Sequence, residues 1–250
     1  MEDAMDFESF FKLHNGDIPR EGPGSDEATR KAIRRLPALP ASPRVLDIGC
    51  GPGKQTLVLA RELGVPIVAV DFFDHFLDAL RRSVKAAGLE HLITVRQQDM
   101  GALTDPPDSV DLIWCEGAIF ILGFAEGLKR WRPLLRDGGL VVASEATWFV
   151  DEPPSEIRAF WEAAYPSIAD VAENVRRAEE AGYEVFDHFP LPREDWWNEY
   201  FAPLKERTVQ LRPDADERLI AILDQNDHEI DMWERYGDCY GYTFFLMRKV

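Results

Sequence analysis

Cysteine is scarce in this chain. There are three, Cys50, Cys115 and Cys239, too few and too far apart for a disulfide framework or a paired metal-ligand motif. A reducing, cytoplasmic setting is the expectation, with no metal. Basic residues are also short: 28 Lys and Arg stand against 45 Asp and Glu, a formal net charge of -17. Proteins that bind nucleic acid or anionic lipid need cations to neutralise phosphates. Neither nucleic acid nor a membrane is therefore expected as the main partner. Long apolar runs are missing: nothing reaches the ~18 residues of a membrane span. The first eleven residues, interrupted by Asp3, Asp6 and Glu8, lack the positive start and apolar centre of a signal peptide. Internal repeats and low-complexity segments are absent as well.

What is present is an ordinary globular mixture, 46% hydrophobic and 29% charged over 250 residues. That suits one α/β domain with embellishments. Ser25 reads as a helix N-cap, with acidic residues in the turn after it and Pro37 beyond the end at about Leu36. Apolar strands then alternate with helical patterns. Strands are expected from Arg44, over Val65–Asp71, His91–Gln97, Val110–Cys115 and Leu140–Ser144. Helices are expected over Gln55–Leu63, Phe72–Ala87 and Phe124–Leu135, with Asp137-Gly-Gly as a turn. Glu156–Ala164 and Ile168–Ala181 read as helices, Tyr183–Phe189 as a sixth strand and Tyr240–Lys249 as a seventh. This alternation predicts a doubly wound, mostly parallel α/β sheet of seven strands. The stretch between the last two strands, residues 190–237, is too long for a hairpin loop and reads as a helical, aromatic cap. The chain, 1–250, is thus one domain with an N-terminal segment and helix over 1–36, a core over 44–149 and the cap.

The most informative stretch is Asp47-Ile-Gly49-Cys-Gly51-Pro-Gly53, between a buried strand and a helix. Glycines there let backbone approach a ligand closely. A nicotinamide fingerprint would need glycines at 49, 51 and 54, and position 54 is Lys. Eighteen positions beyond Gly53, Asp71 ends the second strand, and Phe72 follows. Asp99-Met100 follows the third strand, and Glu116-Gly117 ends the fourth. This ordered set resembles the class I, Rossmann-like S-adenosylmethionine-dependent methyltransferases, whose first motif is D/E-x-G-x-G-x-G. The resemblance spans roughly residues 44–146. It implies a cofactor site made of Asp47, Gly49, Gly51, Gly53, Asp71, Phe72, Asp99, Met100, Glu116 and Gly117. In it Asp71 bonds the two ribose hydroxyls, Phe72 packs on adenine and Asp99 meets the adenine amino group. Outside the core, Arg20-Glu-Gly-Pro-Gly-Ser25, Glu116-Gly-Ala-Ile-Phe, Ser144-Glu-Ala-Thr-Trp-Phe149, Tyr200-Phe-Ala-Pro203 and Tyr240-Gly-Tyr resemble a mostly uncharacterised group of bacterial small-molecule methyltransferases.

Ligands of doubly wound sheets bind at the carboxyl ends of the strands. Glu116, Glu145 and His188 lie at or near such ends and are the candidate catalytic bases, His188 having the most suitable reference pKa. The pair Trp196-Trp197 reads as core or lid packing, with a cation-binding box as the alternative. The expected function is transfer of a methyl group from S-adenosylmethionine to a small-molecule acceptor. A non-catalytic cofactor-binding sensor or partner subunit is the alternative from another class, and a macromolecular acceptor the alternative within it. A homodimer stays open.

Overall fold

The computed structural model describes residues 6–18 and 20–250; whatever rests on residues 1–5 and 19 of the N-terminal segment lies outside the described residues. Eight strands form one sheet: β1 (Val45–Ile48), β2 (Ile67–Asp71), β3 (Ile93–Gln97), β4 (Val110–Cys115), β5 (Leu135–Trp148), β6 (Ala169–Asp170), β7 (Tyr183–Pro190) and β8 (Tyr240–Lys249). Their order is β3-β2-β1-β4-β5-β8-β7, with the two-residue β6 pairing β5 to one side. Only β8 runs antiparallel to its neighbours. The seven expected strands are all present, and β6 is a short addition. Every residue of β1 and of β4 is buried, as helices on both faces of a parallel sheet require.

One face carries α2 (Asp26–Ile33), α3 (Lys54–Leu63) and α4 (Asp74–Ala87); its core joins Ala32, Leu59, Leu80, Trp114, Phe244 and Leu246. The other face carries α5 (Phe124–Trp131) and α7 (Val171–Glu180), around Ile113, Trp131, Val141, Phe245 and Met247. α6 (Ser155–Ala164) lies in the connection after β5. The helix limits have local causes. The Ser25 hydroxyl accepts from Ala28 N at the start of α2, and Asp170 does the same for Glu173 N at the start of α7; such caps contribute about 1 kcal/mol each. Gly64 and Gly88 close α3 and α4 in the left-handed conformation.

Three local expectations differ. Asp137-Gly-Gly is not a turn between elements but lies inside the fourteen-residue β5, whose pairing with β4 shifts register between Val110 and Leu112. The α4 helix starts at Asp74 rather than Phe72. And Phe7–Leu13 forms a helix, α1, which no expectation from the sequence placed there. Phe11 of α1 packs edge-on against Phe73 and Phe76 at the start of α4.

The cap is helical, as expected. It contains α8 (Arg193–Trp196), a π-helical turn (Trp197–Phe201), α9 (Ala202–Leu211) and α10 (Glu217–Tyr236). Trp196, Phe201, Leu223 and Trp233 join the same core as Phe244 on the sheet. Each such side chain stabilises by ~1.5–3 kcal/mol relative to exposure, so the cap is clamped to the sheet. α1 packs against α9 and α10, and Lys12 O accepts from Arg207 Nε at 2.8 Å.

Candidate functional site

The loop after β1 is shaped by its three alternate glycines. Their φ values are +70, +53 and +84 for Gly49, Gly51 and Gly53, a region side chains disfavour. The three have different neighbours. A methyl group on Gly49 would lie 2.4 Å from Ala118 Cβ, and one on Gly53 would lie 2.1 Å from Leu80 Cδ1. A methyl on Gly51 would meet nothing within 4 Å. Gly49 and Gly53 therefore let the loop pack on the segment after β4 and on α4. Gly51 alone faces open space.

Asp71 fixes this loop. One carboxylate oxygen accepts from Gly51 N at 2.8 Å and the other from Phe73 N at 2.9 Å. Each oxygen keeps a further lone pair. Burial raises the Asp71 carboxyl above its ordinary range, and the backbone N–H groups oppose that shift. Gly49 N and Cys50 N both donate to Val70 O, so the loop stays stitched to β2. Phe72 is 60% exposed beside this groove. Asp99 is exposed and accepts from Gly101 N at 2.7 Å. Met100 reaches toward Gly49, its Cε 3.2 Å from a methyl built there. Gly117 N donates to Ser144 Oγ at 2.8 Å. The structure thus gathers the glycine loop, Asp71, Phe72, Asp99, Met100 and Gly117 along the carboxyl ends of β1, β2, β3 and β4.

Asp47 lies beneath the loop rather than in the groove. It is fully buried; Thr56 donates to one oxygen at 2.5 Å, and the other oxygen has no partner. Desolvation pushes its carboxyl up to about 7. A carboxyl whose pKa is raised on folding stabilises the fold while protonated and loses that contribution as pH rises through the folded value. The window here runs from about 4 to 7. Asp47→Asn should therefore gain stability relative to the parent as pH is raised from 5 to 8, by on the order of 2–4 kcal/mol, with little gain at pH 4. Thermal unfolding of both proteins across that range checks it; a pH-independent difference would mean that Asp47 is compensated.

Glu116 is the centre of a buried ion network. Its oxygens accept from Thr29 Oγ1 at 2.7 Å, Trp114 Nε1 at 2.8 Å and Arg20 Nη1 at 3.0 Å. Arg20, 4% exposed, also donates to Glu199 of the cap at 2.9 Å and to Asp26 at 3.3 Å. Desolvation pushes Arg20 down, but Glu116 and Glu199 outweigh it, and the net direction is up. Beside this network Ser25 Oγ donates to Asp195 at 2.7 Å. The N-terminal segment is thereby tied to both β4 and the cap. Three donors on Glu116 suit an anchor better than a proton acceptor.

Glu145 is 1% exposed, and neither carboxylate oxygen has a hydrogen-bond partner. Burial pushes its carboxyl up to about 8. The neighbouring Tyr165 hydroxyl makes no well-aligned hydrogen bond, yet it lies close enough to the Glu145 carboxylate to oppose that rise. Tyr242 stands close by on β8: a methyl built on Gly117 would lie 3.3 Å from its ring. Of the three candidate bases, the structure brings Glu116 and Glu145 to the end of β4 and leaves His188 outside. His188 is exposed on β7, an edge strand three strands from β4, about 14 Å away at the usual strand spacing. It pairs with Phe245, on the face opposite the cap. Counting it at a strand end said nothing of how far that strand lies from the glycine loop.

Tyr165 and Glu199 are the residues that sequence reasoning did not single out. Tyr242 carried a signal, since Tyr240 and Tyr242 alternate onto one sheet face. A surface cleft of about 730 Å3 lies elsewhere, between Phe149, Asp170, Arg193 and Asp238. Among the described residues no helix is long and apolar enough to cross a membrane, and no group of three acidic, His or Cys side chains suits a metal ion.

Residues 45–139 match the family model described as a methyltransferase domain. The trans-aconitate 2-methyltransferase of Rhizobium meliloti is 36% identical over 112 residues, 43% of this chain and 37% of that protein. The chain spans less than half the length of several of its curated relatives. An S-adenosylmethionine-dependent methyltransferase of Geobacter sulfurreducens, solved with S-adenosyl-L-homocysteine, superposes with a TM-score of 0.82 at 21% identity, covering 99% of this chain and 100% of that one. The [4+2]-cyclase SpnF superposes with a TM-score of 0.79 at 18% identity, covering 98% and 95%. The fold therefore hosts more than one chemistry. Residues 45–139 thus match a methyltransferase domain, and the architecture is the Rossmann-like fold of these solved methyltransferases.

Proposed function

We propose that the chain transfers a methyl group from S-adenosylmethionine to a small-molecule acceptor, in a cytoplasmic setting and without a nucleic-acid partner. The observation that carries this reading is the loop held by Asp71 with Gly51 facing open space. The residues fit the cofactor. Asp71 keeps an acceptor lone pair on each oxygen for two adjacent hydroxyls. The exposed Phe72 ring offers a face for a purine. The net charge of -17 disfavours a polyanionic acceptor. When bound, the cofactor supplies an electrophilic methyl group on a sulfonium. The chain's own part is alignment and exclusion of water. The cap, clamped over the sheet and tied down through Arg20, serves both ends.

The labelled cofactor, incubated with the chain and a metabolite extract, should leave label on a small product identified by mass. Tight cofactor binding with no labelled product would favour the sensor or partner-subunit alternative. Two glycine substitutions test the cradle. Gly51→Val should fold with a strain of about 1–2 kcal/mol and lose binding of S-adenosylhomocysteine, because its side chain occupies the open space. Gly53→Val should fail to fold, since it adds collision with Leu80 to the same strain. Unfolding and calorimetry separate the two; normal binding by Gly51→Val would remove Gly51 from the site.

A further inference from the structure

Nine large apolar side chains are exposed among the described residues, and four of them stand in two short runs. Phe120 and Ile121 follow β4, and Phe149 and Val150 follow β5. These strands are parallel neighbours, so both runs sit at the carboxyl end of the sheet, the end that carries the glycine loop. Single exposed apolar residues are ordinary; a group of them beside a groove marks a surface that a ligand covers. The cleft of about 730 Å3 opens at that same end. Trp148, Asp170 and Pro190 on its wall are the last residues of β5, β6 and β7, which all run in one direction. Its volume is that of a small-ligand pocket.

Contacts join the cleft to the cofactor groove on two sides. On the first, Ala118 packs on Gly49 of the glycine loop. Two residues on, Phe120 meets Tyr165 with ring centroids 5.9 Å apart. Tyr165 O accepts from Ile168 N at 3.1 Å, and Ile168 leads into β6 on the cleft wall. On the second side, the Phe149 ring lies over Gly241: a methyl there would be 2.8 Å from Phe149 Cε2 and 3.7 Å from Trp196 Nε1. Trp196 and Tyr242 have ring centroids 4.9 Å apart, and the Tyr242 ring borders Gly117 at the end of β4. The walls are apolar at Phe149, Val150, Val171 and Leu191. The charged groups offer little to a ligand. Arg193 bonds Asp238 at 2.5 Å, Asp170 caps α7 by accepting from Glu173 N at 2.7 Å, and Asp151 is exposed to water.

We propose that this cleft, with the Phe120–Ile121 rim, is the acceptor subsite and that it takes an uncharged, largely apolar molecule. This rests on the methyltransferase reading and names the acceptor's class. The body of the acceptor lies on Phe149 and Val150, and its nucleophilic end points toward Gly117. A charged acceptor of either sign gives up water for walls that do not replace it. An anion, moreover, meets three carboxylates and an arginine already bound. A small polar molecule forgoes the burial that the walls and rim provide.

The test is calorimetry on the full chain with saturating S-adenosylhomocysteine. The neutral probes are 2-naphthol and geraniol. Their charged matches are 2-naphthoate, geranate and 2-naphthylmethylamine, and glycerol is the small polar probe. At least one neutral probe should bind roughly tenfold or more tighter than its charged matches, and glycerol should not bind. Ile121 is 64% exposed and Phe149 39%, so Ile121→Lys and Phe149→Ser alter the surface rather than the core. Each should weaken that probe several-fold while binding of S-adenosylhomocysteine and the melting temperature hold. If Phe149→Ser loses stability, Ile121→Lys decides. Val209→Lys, an exposed apolar position on α9 that is not on the cleft, should leave probe binding unchanged. No binding of a neutral probe, a preference for a charged one, or binding that survives both cleft variants overturns the assignment. Label from the cofactor appearing in the extract only on products that stay in water against octanol would overturn it too and leave the methyltransferase reading standing. Neutral-probe binding that depends on Ile121 and Phe149, with no methyl transferred to any product, would do the reverse.

Discussion

Arg20→Ala is expected to cost about 3–5 kcal/mol of folding stability, because it leaves a buried carboxylate without its counter-charge. The side chain is 4% exposed and meets Glu116, Glu199 and Asp26 at 3.0, 2.9 and 3.3 Å. Glu116 suffers most, since desolvation raises its carboxyl and Arg20 is the first group opposing that. The cost lies in the orphaned charge more than in the lost attraction. The double variant Arg20→Met, Glu116→Gln should therefore be more stable than Arg20→Ala alone. Denaturant unfolding of the three proteins decides this. A loss under ~1 kcal/mol for Arg20→Ala would mean that the network behaves like exposed ion pairs. The same variant should loosen the N-terminal segment from the cap, because Arg20 and Ser25 join them. Faster hydrogen exchange in residues 20–25 and 195–201 would report that opening.

The parallel core was legible because its determinants are local and repeated. Val45–Ile48, Ile67–Asp71 and Val110–Cys115 read as buried strands from their apolar runs alone, and the glycine loop announced itself by spacing. Elements held by distant partners were not legible. α1 is seven residues long, too short to be stable by itself; its helicity depends on Phe73, Phe76 and the cap helices. The stretch Asp137-Gly-Gly reads as a turn by composition, yet β5 runs through it as an irregularity, with Leu135 and Leu140 on either side both paired to β4. The same distinction divides the site. Asp71 follows from its place at a strand end. The Arg20–Glu199 bond joins residues 179 positions apart, and no periodicity encodes such a contact. His188 shows the reverse error: its position along a strand was read correctly, but the order of strands across the sheet, which sets its distance from the loop, is not written in any one segment.

Asp71→Ala should weaken binding of S-adenosylhomocysteine by about 2–4 kcal/mol, roughly 30- to 1000-fold in Kd. Two losses add. The carboxylate would no longer accept from the two ribose hydroxyls, and charge-assisted bonds of that kind are worth more than neutral ones. Gly51 N and Phe73 N would also lose their acceptor, so the loop would have to be ordered again on binding, at a cost in backbone entropy. Asp71→Asn should fall between the two proteins. Its amide keeps one accepting oxygen but turns an N–H donor toward either Gly51 N or Phe73 N, which are donors themselves. A pH dependence follows from the same geometry. Burial raises the Asp71 carboxyl, so acidification protonates it above the usual carboxylate range and removes an acceptor the hydroxyls need. Binding should weaken on acidification in the parent and lose part of that dependence in Asp71→Asn. Calorimetric titrations at several pH values, with unfolding curves to show that each variant is folded, test both statements. A folded Asp71→Ala variant with an unchanged Kd would place the ribose away from the end of β2 and remove the main support for this groove as the cofactor site.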